Sequence, residues 1–163
     1  MSSLLAEKEV FMDEKGSKIG RLAVRLGILS QLYTNRMNLL LKEHGFTLSQ
    51  FSLLNHLVSS ANEGHTISDL TEAMEINQPG VTKIVHKLLK EELIDVRTDR
   101  EDSRKRLVSI ANKGREQIRA VNLSLYPDLS EWFQDWQPKE MDEFIAQLEK
   151  LSKWLDTNRL GQS

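Results

Sequence analysis

Apolar residues recur at three- and four-residue spacing from Ile19 to Leu41, through Leu22, Leu26, Leu29, Tyr33, Met37 and Leu40, which predicts a helix with Gly45 as its stop. Thr47-Leu48-Ser49-Gln50 places a hydroxyl at a cap and an amide side chain three residues on. That capping box opens a second helix through Phe51, Leu54, Leu57 and Val58. Ser59 to His65 reads as a polar turn. Thr66-Ile67-Ser68-Asp69 starts a short third helix with Ile67, Leu70, Ala73 and Met74 inward. After the tight connection Glu75-Ile76-Asn77, Asn77 caps a fourth helix, and Pro79 falls in its first turn, where a missing N–H costs nothing. This helix runs to about Glu91 with a stripe of Val81, Ile84, Val85, Leu88 and Leu89.

Beyond Leu93 the period changes. Ile94 and Val96, then Leu107, Val108 and Ile110, suit two short strands around a polar tip, a β-hairpin. The helical period returns from about Asn112 through Ile118, Val121 and Leu125, and Pro127 is expected to kink or end that helix. Gln137-Pro138 begins a last helix with Met141, Phe144, Ile145, Leu148, Leu151, Trp154 and Leu155 as its stripe. Residues 1–17 are charged, end in Gly16 and Ser17, and read as an N-terminal tail. The fold class expected is mainly α, with about six helices and one small hairpin.

The hydrophobic fraction, 39%, is low for a self-sufficient globule of 163 residues, which points to apolar surface covered by another copy. With no cysteine, a disulfide framework, a thiolate metal site and a cysteine redox sensor are excluded. No run approaches the ~18 apolar residues of a membrane helix. Residues 1–15, with Glu7, Glu9, Asp13 and Glu14, lack the layout of a signal peptide, so the cytoplasm is the expected location. His44, His56, His65 and His86 show no metal spacing, and no phosphate loop or nucleophile elbow occurs; no enzyme, metal or cofactor is expected.

The net charge of −2 excludes a globally basic nucleic-acid binder but not a local basic face. Opposite the apolar stripe of the fourth helix, Gln78, Thr82 and His86 form one row and Lys83, Lys87 and Lys90 the next, without an acid among them. Such a face offers phosphate donors at its edges and short polar groups for base edges at its N-terminal end. Gly80, lacking a side chain, would permit close backbone approach. Residues 77–106 hold eight cations against six acids, leaving fourteen against eighteen elsewhere. In the hairpin, Asp99 and Asp102 stand beside Arg100 and Arg104, where a carboxylate can fix an arginine's direction and shape the turn, and an arginine at a hairpin tip suits the minor groove.

The order of elements, the run Asn77-Gln78-Pro79-Gly80-Val81-Thr82-Lys83-Ile84-Val85, the stretch Leu88 to Leu93 and the wing Asp99-Arg100-Glu101-Asp102-Ser103-Arg104 resemble the multiple-antibiotic-resistance regulator (MarR) family over roughly Ile19 to Asp156. The wing pattern, followed by a strand and Lys113-Gly114, is the most specific part. The resemblance implies a winged helix-turn-helix at 66–91, a wing at 93–110, and dimerisation helices at 19–43 and 112–157 within a domain at 18–156. It implies a homodimer on double-stranded DNA at a pseudo-palindromic operator, usually as a repressor, modulated by a small-molecule ligand; a small aromatic or phenolic effector, a metal and no ligand at all stay open. The residues it assigns to DNA are Asn77, Gln78, Gly80, Thr82, Lys83, His86, Lys87, Arg97, Asp99, Arg100, Asp102, Ser103, Arg104 and Lys105. Arg104 becomes the minor-groove residue and Asp102 its orienter. Ala111 departs from the Thr or Ser cap of many relatives, which moves the start of the fifth helix to Asn112. Gathering Trp132, Phe133, Trp136 and Trp154 near the C-terminus also suits a dimer, and two recognition helices ~34 Å apart need two copies. The alternative function is a winged-helix protein-interaction module.

Overall fold

The computed structural model describes residues 14–60 and 64–159. Six helices and one hairpin follow in order: α1 (Glu14–Lys42), α2 (Leu48–Ser59), α3 (Ile67–Met74), α4 (Gln78–Lys90), β1 (Ile94–Thr98), β2 (Arg106–Ile110), α5 (Asn112–Glu131) and α6 (Pro138–Thr157). The chain divides into two compact units, residues 1–122 and 123–163.

In the first unit the core is built from Met37 and Leu41 of α1, Leu53, Leu54 and Leu57 of α2, Leu70 of α3, and Val81, Val85 and Leu88 of α4, all buried. Phe46, Leu93, Ile94, Val108, Ile110, Ile118 and Val121 complete it. Some expected inward positions face out. Val58 and Leu89 are exposed, and so is Ala73, while Leu53, outside the expected stripe, is fully buried. Periodicity alone misses these because a short helix packed on three neighbours buries a wider or shifted face.

α1 starts no later than Glu14, so the expected boundary at Gly16-Ser17 lies inside a helix; the rest of the expected tail, residues 1–13, lies outside the described residues. Lys18 pairs with Glu14 one turn away at 2.6 Å. α1 ends in a Schellman motif. The Phe46 amide donates to the Leu41 carbonyl at 3.2 Å and the Gly45 amide to the Lys42 carbonyl at 3.1 Å, with Gly45 left-handed at φ 74. Leu41 and Phe46, both buried, supply the apolar contact of that motif.

α4 ends the same way without a glycine. Leu93 donates to the Leu88 carbonyl and Glu92 to the Leu89 carbonyl, both at 3.0 Å, and Glu92 takes the left-handed position at φ 60. The hairpin then pairs antiparallel from Ile94↔Ile110 to Thr98↔Arg106. On its other side β2 meets one further residue, since His65 and Val108 exchange both backbone hydrogen bonds at 2.8 Å. The turn expected at Ser59 to His65 thus ends in a strand-like bridge.

α5 begins at Asn112, the start that Ala111 implied. Its third residue is buried against backbone: a Cβ on Gly114 would stand 2.0 Å from the Leu93 carbonyl oxygen. In the same joint, the Ala111 amide donates to that carbonyl at 3.1 Å. α5 does not end at Pro127 but continues to Glu131. Proline removes one amide from the ladder, that to the Leu123 carbonyl, and the remaining bonds carry the helix through.

In the second unit, Gln137 and Pro138 start α6 as expected, with the Gln137 amide donating to the Glu140 carboxylate at 2.8 Å. Phe133, Trp136 and Phe144 stack edge to face at centroid distances of 5.5 and 5.3 Å. Trp132 donates its indole N–H to Asp128. Three of the four C-terminal aromatics therefore have partners within their own unit, whereas Trp154 is exposed.

Gly114→Ala is expected to cost at least about 2 kcal/mol in urea unfolding, because its Cβ meets a backbone atom that cannot rotate away. Glu92→Gly is expected to add about 1 kcal/mol by relieving a left-handed non-glycine residue.

Candidate nucleic-acid interface

α3 and α4 form a helix-turn-helix whose starts are fixed by their own side chains. Thr66 and Asp69 cap each other reciprocally at α3, with the Thr66 amide donating to the Asp69 carboxylate at 2.8 Å. Asn77 Oδ1 accepts from the Gly80 amide at 2.9 Å at α4. Between them Glu75 makes the turn in the left-handed region, φ 51.

Gly80 has an internal reason to lack a side chain. A Cβ there would lie 2.7 Å from Ile76 Cγ2 and 3.1 Å from Asn77 Oδ1. The tight turn therefore accounts for this glycine whatever α4 approaches.

With Val81, Val85 and Leu88 buried, α4 turns Gln78, Lys83, His86, Lys87 and Lys90 to solvent, and Thr82 is half-buried. Two of these are already engaged. Thr82 donates its hydroxyl to the Gln78 carbonyl at 2.8 Å, which leaves its methyl group and an acceptor lone pair for any partner. Lys87 lies 3.5 Å from Gln50 Oε1 and 3.9 Å from Glu91. Gln50 is the buried polar side chain of the core at 5% exposure, and its oxygen also accepts from the Thr47 amide at the start of α2. The Lys87 ammonium is thus steered by α2, a contact that spans 37 residues of chain and leaves no local sequence signal.

The wing tip is organised by two carboxylates. Asp99 Oδ1 accepts from the amides of Glu101 and Asp102 at 2.7 and 2.8 Å. Asp99 donates its own amide to the Lys105 carbonyl, and Lys105 donates to the Asp102 carbonyl. The Asp102 and Glu101 amides hold the Asp99 carboxyl below its ordinary range, helped by Lys105 and Arg97. Asp99 therefore shapes the turn, one of the two roles expected of the wing acids, and its hydrogen bonds go to backbone amides.

Asp102 does face an arginine. Its Oδ1 accepts from the Arg104 amide at 3.1 Å and from Arg104 Nε at 3.3 Å. The Arg104 side chain is 91% exposed. A grip on Nε leaves both terminal NH2 groups pointing outward. Arg97, Arg100, Ser103 and Lys105 are also exposed on the hairpin, while Arg106 reaches across to the Thr98 hydroxyl.

Sequence reasoning missed Lys113. From the first turn of α5 it donates to the Glu91 carbonyl at 2.8 Å and pairs with Glu92 at 3.1 Å, holding the last turn of α4. The signal available was only its place beside Gly114.

Residues 44–105, which run from the end of α1 to the wing tip, match the model of the MarR family. Over that segment the chain is similar to that family. Among solved structures, BldR from Sulfolobus solfataricus aligns with a TM-score of 0.76 at 22% identity, covering 86% of this chain and 98% of that one. A MarR protein from Peptoclostridium difficile aligns at 0.71 and 21%, covering 83% and 88%. MepR from S. aureus, in a complex with DNA, aligns at 0.68 and 18%, covering 82% and 95%. No match emerges among curated protein sequences. At these identities the structural likeness is one of fold, the MarR-type winged helix.

The stability of the Asp99 turn depends on pH. A carboxyl with a lowered folded-state value stabilises the turn above its ordinary value of 3.8 and loses that contribution as pH falls toward the lowered one. Asp99→Ala is expected to raise amide exchange at Glu101 and Asp102 at neutral pH, with the melting temperature nearly unchanged; equal exchange would remove Asp99 as the organiser.

Proposed function

We propose that this protein is a sequence-specific regulator of transcription, a repressor, that binds double-stranded DNA as a homodimer at a pseudo-palindromic operator. The observation that carries the reading is Arg104. An exposed guanidinium gripped at Nε by Asp102, on a hairpin beside a capped helix with an acid-free outer face, suits the flank of a duplex. The S. aureus structure of the same fold is a complex with DNA, which adds support.

In this reading α4 enters the major groove. Thr82 and His86 face bases, with Gln78 and the capping turn of Asn77 and Gly80 at the entering end. Lys83 and Lys87 take phosphates. Arg97, Arg100, Ser103 and Lys105 flank Arg104 on the wing, and Asp99 keeps the wing in shape.

The homodimer is supported by apolar side chains that one copy leaves bare. On α1, Leu22, Val24 and Leu32 are each more than 60% exposed. On α6, considered separately, Ile145, Trp154 and Leu155 are more than half exposed. A second copy would bury such surface, and an operator with twofold symmetry requires one. A small aromatic or phenolic effector would act by binding one spacing of the two α4 helices better than the other. No described helix is long and apolar enough to cross a membrane, and a regulator of DNA would work in the cytoplasm.

The test is fluorescence anisotropy with duplex from upstream of the protein's own gene against scrambled duplex. The upstream duplex is expected to bind more tightly, with a log–log salt slope of about −0.9 per phosphate contact. Equal affinities would reject specific regulation, and a flat salt response would favour a protein-interaction module. Arg104→Ala is expected to weaken binding about tenfold while light scattering still reports a dimer. For Thr82, whose hydroxyl proton is already spent, Thr82→Val should keep the sequence preference. Thr82→Ala and His86→Ala should alter it, and unchanged preference in both would mean that α4 presents another face.

A further inference from the structure

We propose that His56 and His65 form an acid-sensitive latch between α2 and the inner edge of the wing: protonation of His56 sets a cation against His65 and releases the bridge between His65 and Val108. Several independent features meet at this pair. The two rings lie 5.1 Å apart, centroid to centroid, tilted by 55°. The backbone of His65 makes both bridge bonds to Val108 of β2, so the residue that touches His56 is also the residue that pins the wing. Among the described residues, His65 Nε2 is the buried side-chain nitrogen with no hydrogen-bond partner. An unpartnered buried polar atom of this kind leaves the pair weakly held on that side.

His56 sits in the last turn of α2, and its carbonyl accepts from the amide and hydroxyl of Ser60 and the hydroxyl of Ser59. A helix C-terminus ordinarily favours a cation. Here burial opposes it first and His65 second, and together they hold His56 below the ordinary imidazole value of 6.5. Asp69 of α3 feels His65, but its carboxylate is committed to the Thr66 amide. Lys105 of the hairpin acts on Asp69 in turn. Among the described residues, no carboxylate pairs with His56 to absorb its charge.

The sign follows from linkage. A histidine whose folded-state value is lowered favours folding above 6.5, and that contribution is lost as pH falls below it, because the opened state takes up the proton first. Acid therefore shifts the population toward an opened latch, with His56 in water and β2 unpinned from His65. A weaker grip of the wing on DNA at acid pH would follow; that consequence rests on the function proposed above, whereas the latch does not.

The test is amide hydrogen exchange on the full chain at pH 7.5 and 5.5, corrected for intrinsic rates. Val108 and His65 are expected to lose protection several-fold at pH 5.5 relative to α4 amides, because the opened state takes up the His56 proton first. His56→Gln should abolish this difference. Equal relative protection at both pH values in the wild type, or the same loss in His56→Gln, would overturn the latch. An NMR titration of the wild-type His56 ring needs no variant: a midpoint below 6.5 is expected, and one at or above it would overturn the latch too. Anisotropy across the same pH range tests the DNA reading separately, since a chain that binds no duplex at either pH leaves the exchange result to decide the latch alone.

Discussion

Leu93 gives its amide to the Leu88 carbonyl and takes the Ala111 amide on its own carbonyl. The first bond closes α4, and the second opens α5. Between them the chain enters β1, and the strand returns at Ile110 opposite Ile94. A single residue thereby joins α4, both strands of the hairpin and α5. The joint has no slack, since even one methyl group at Gly114 would overlap the same carbonyl. Lys113 adds a clamp from the side by holding the Glu91 carbonyl. The outer face of α4 and the wing tip consequently keep a fixed relation, which any surface that reads two grooves at once requires.

The polar groups around this joint are used for shape before they are used for charge. Asp99 folds the loop, Asp69 and Asn77 start helices, and Gln50 steers Lys87. Left-handed turns fall to Glu75 and Glu92, where a glycine would be easier. Exposed ion pairs such as Lys113 with Glu92 contribute little on their own. On the wing tip the value of acids lies in direction: Asp99 bends the backbone and Asp102 points Arg104.

Features set within four residues were legible in the sequence. Both capping boxes, the Asn77 cap, the Gly45 stop, the hairpin and the start of α6 depend on side chains that reach nearby backbone, and residue type at fixed spacing reports them. The Asp102–Arg104 pair was legible for the same reason. Continuation through Pro127 was not, because one lost hydrogen bond is a local penalty that the rest of a long helix can outweigh. The bridge from His65 to Val108, the steering of Lys87 by Gln50 and the hold of Lys113 on α4 were invisible because their partners lie far away in sequence. The need of the turn itself for Gly80 was equally invisible, since the crowding comes from Ile76 as the turn folds back.

α1 shows most plainly what one copy leaves unfinished. Its apolar period is regular from Leu22 onward, yet only Met37 and Leu41, near its end, are buried. The interface segment, residues 77–106, carries an excess of only two positive charges on a chain that is negative overall. A surface so weakly basic gains little from one set of phosphate contacts. Two copies held at a fixed spacing would engage as one ligand, with the second contact made at high effective concentration. On the proposed reading, the bare apolar face of α1 and the modest charge of the wing are therefore linked: burying the first would make the second sufficient.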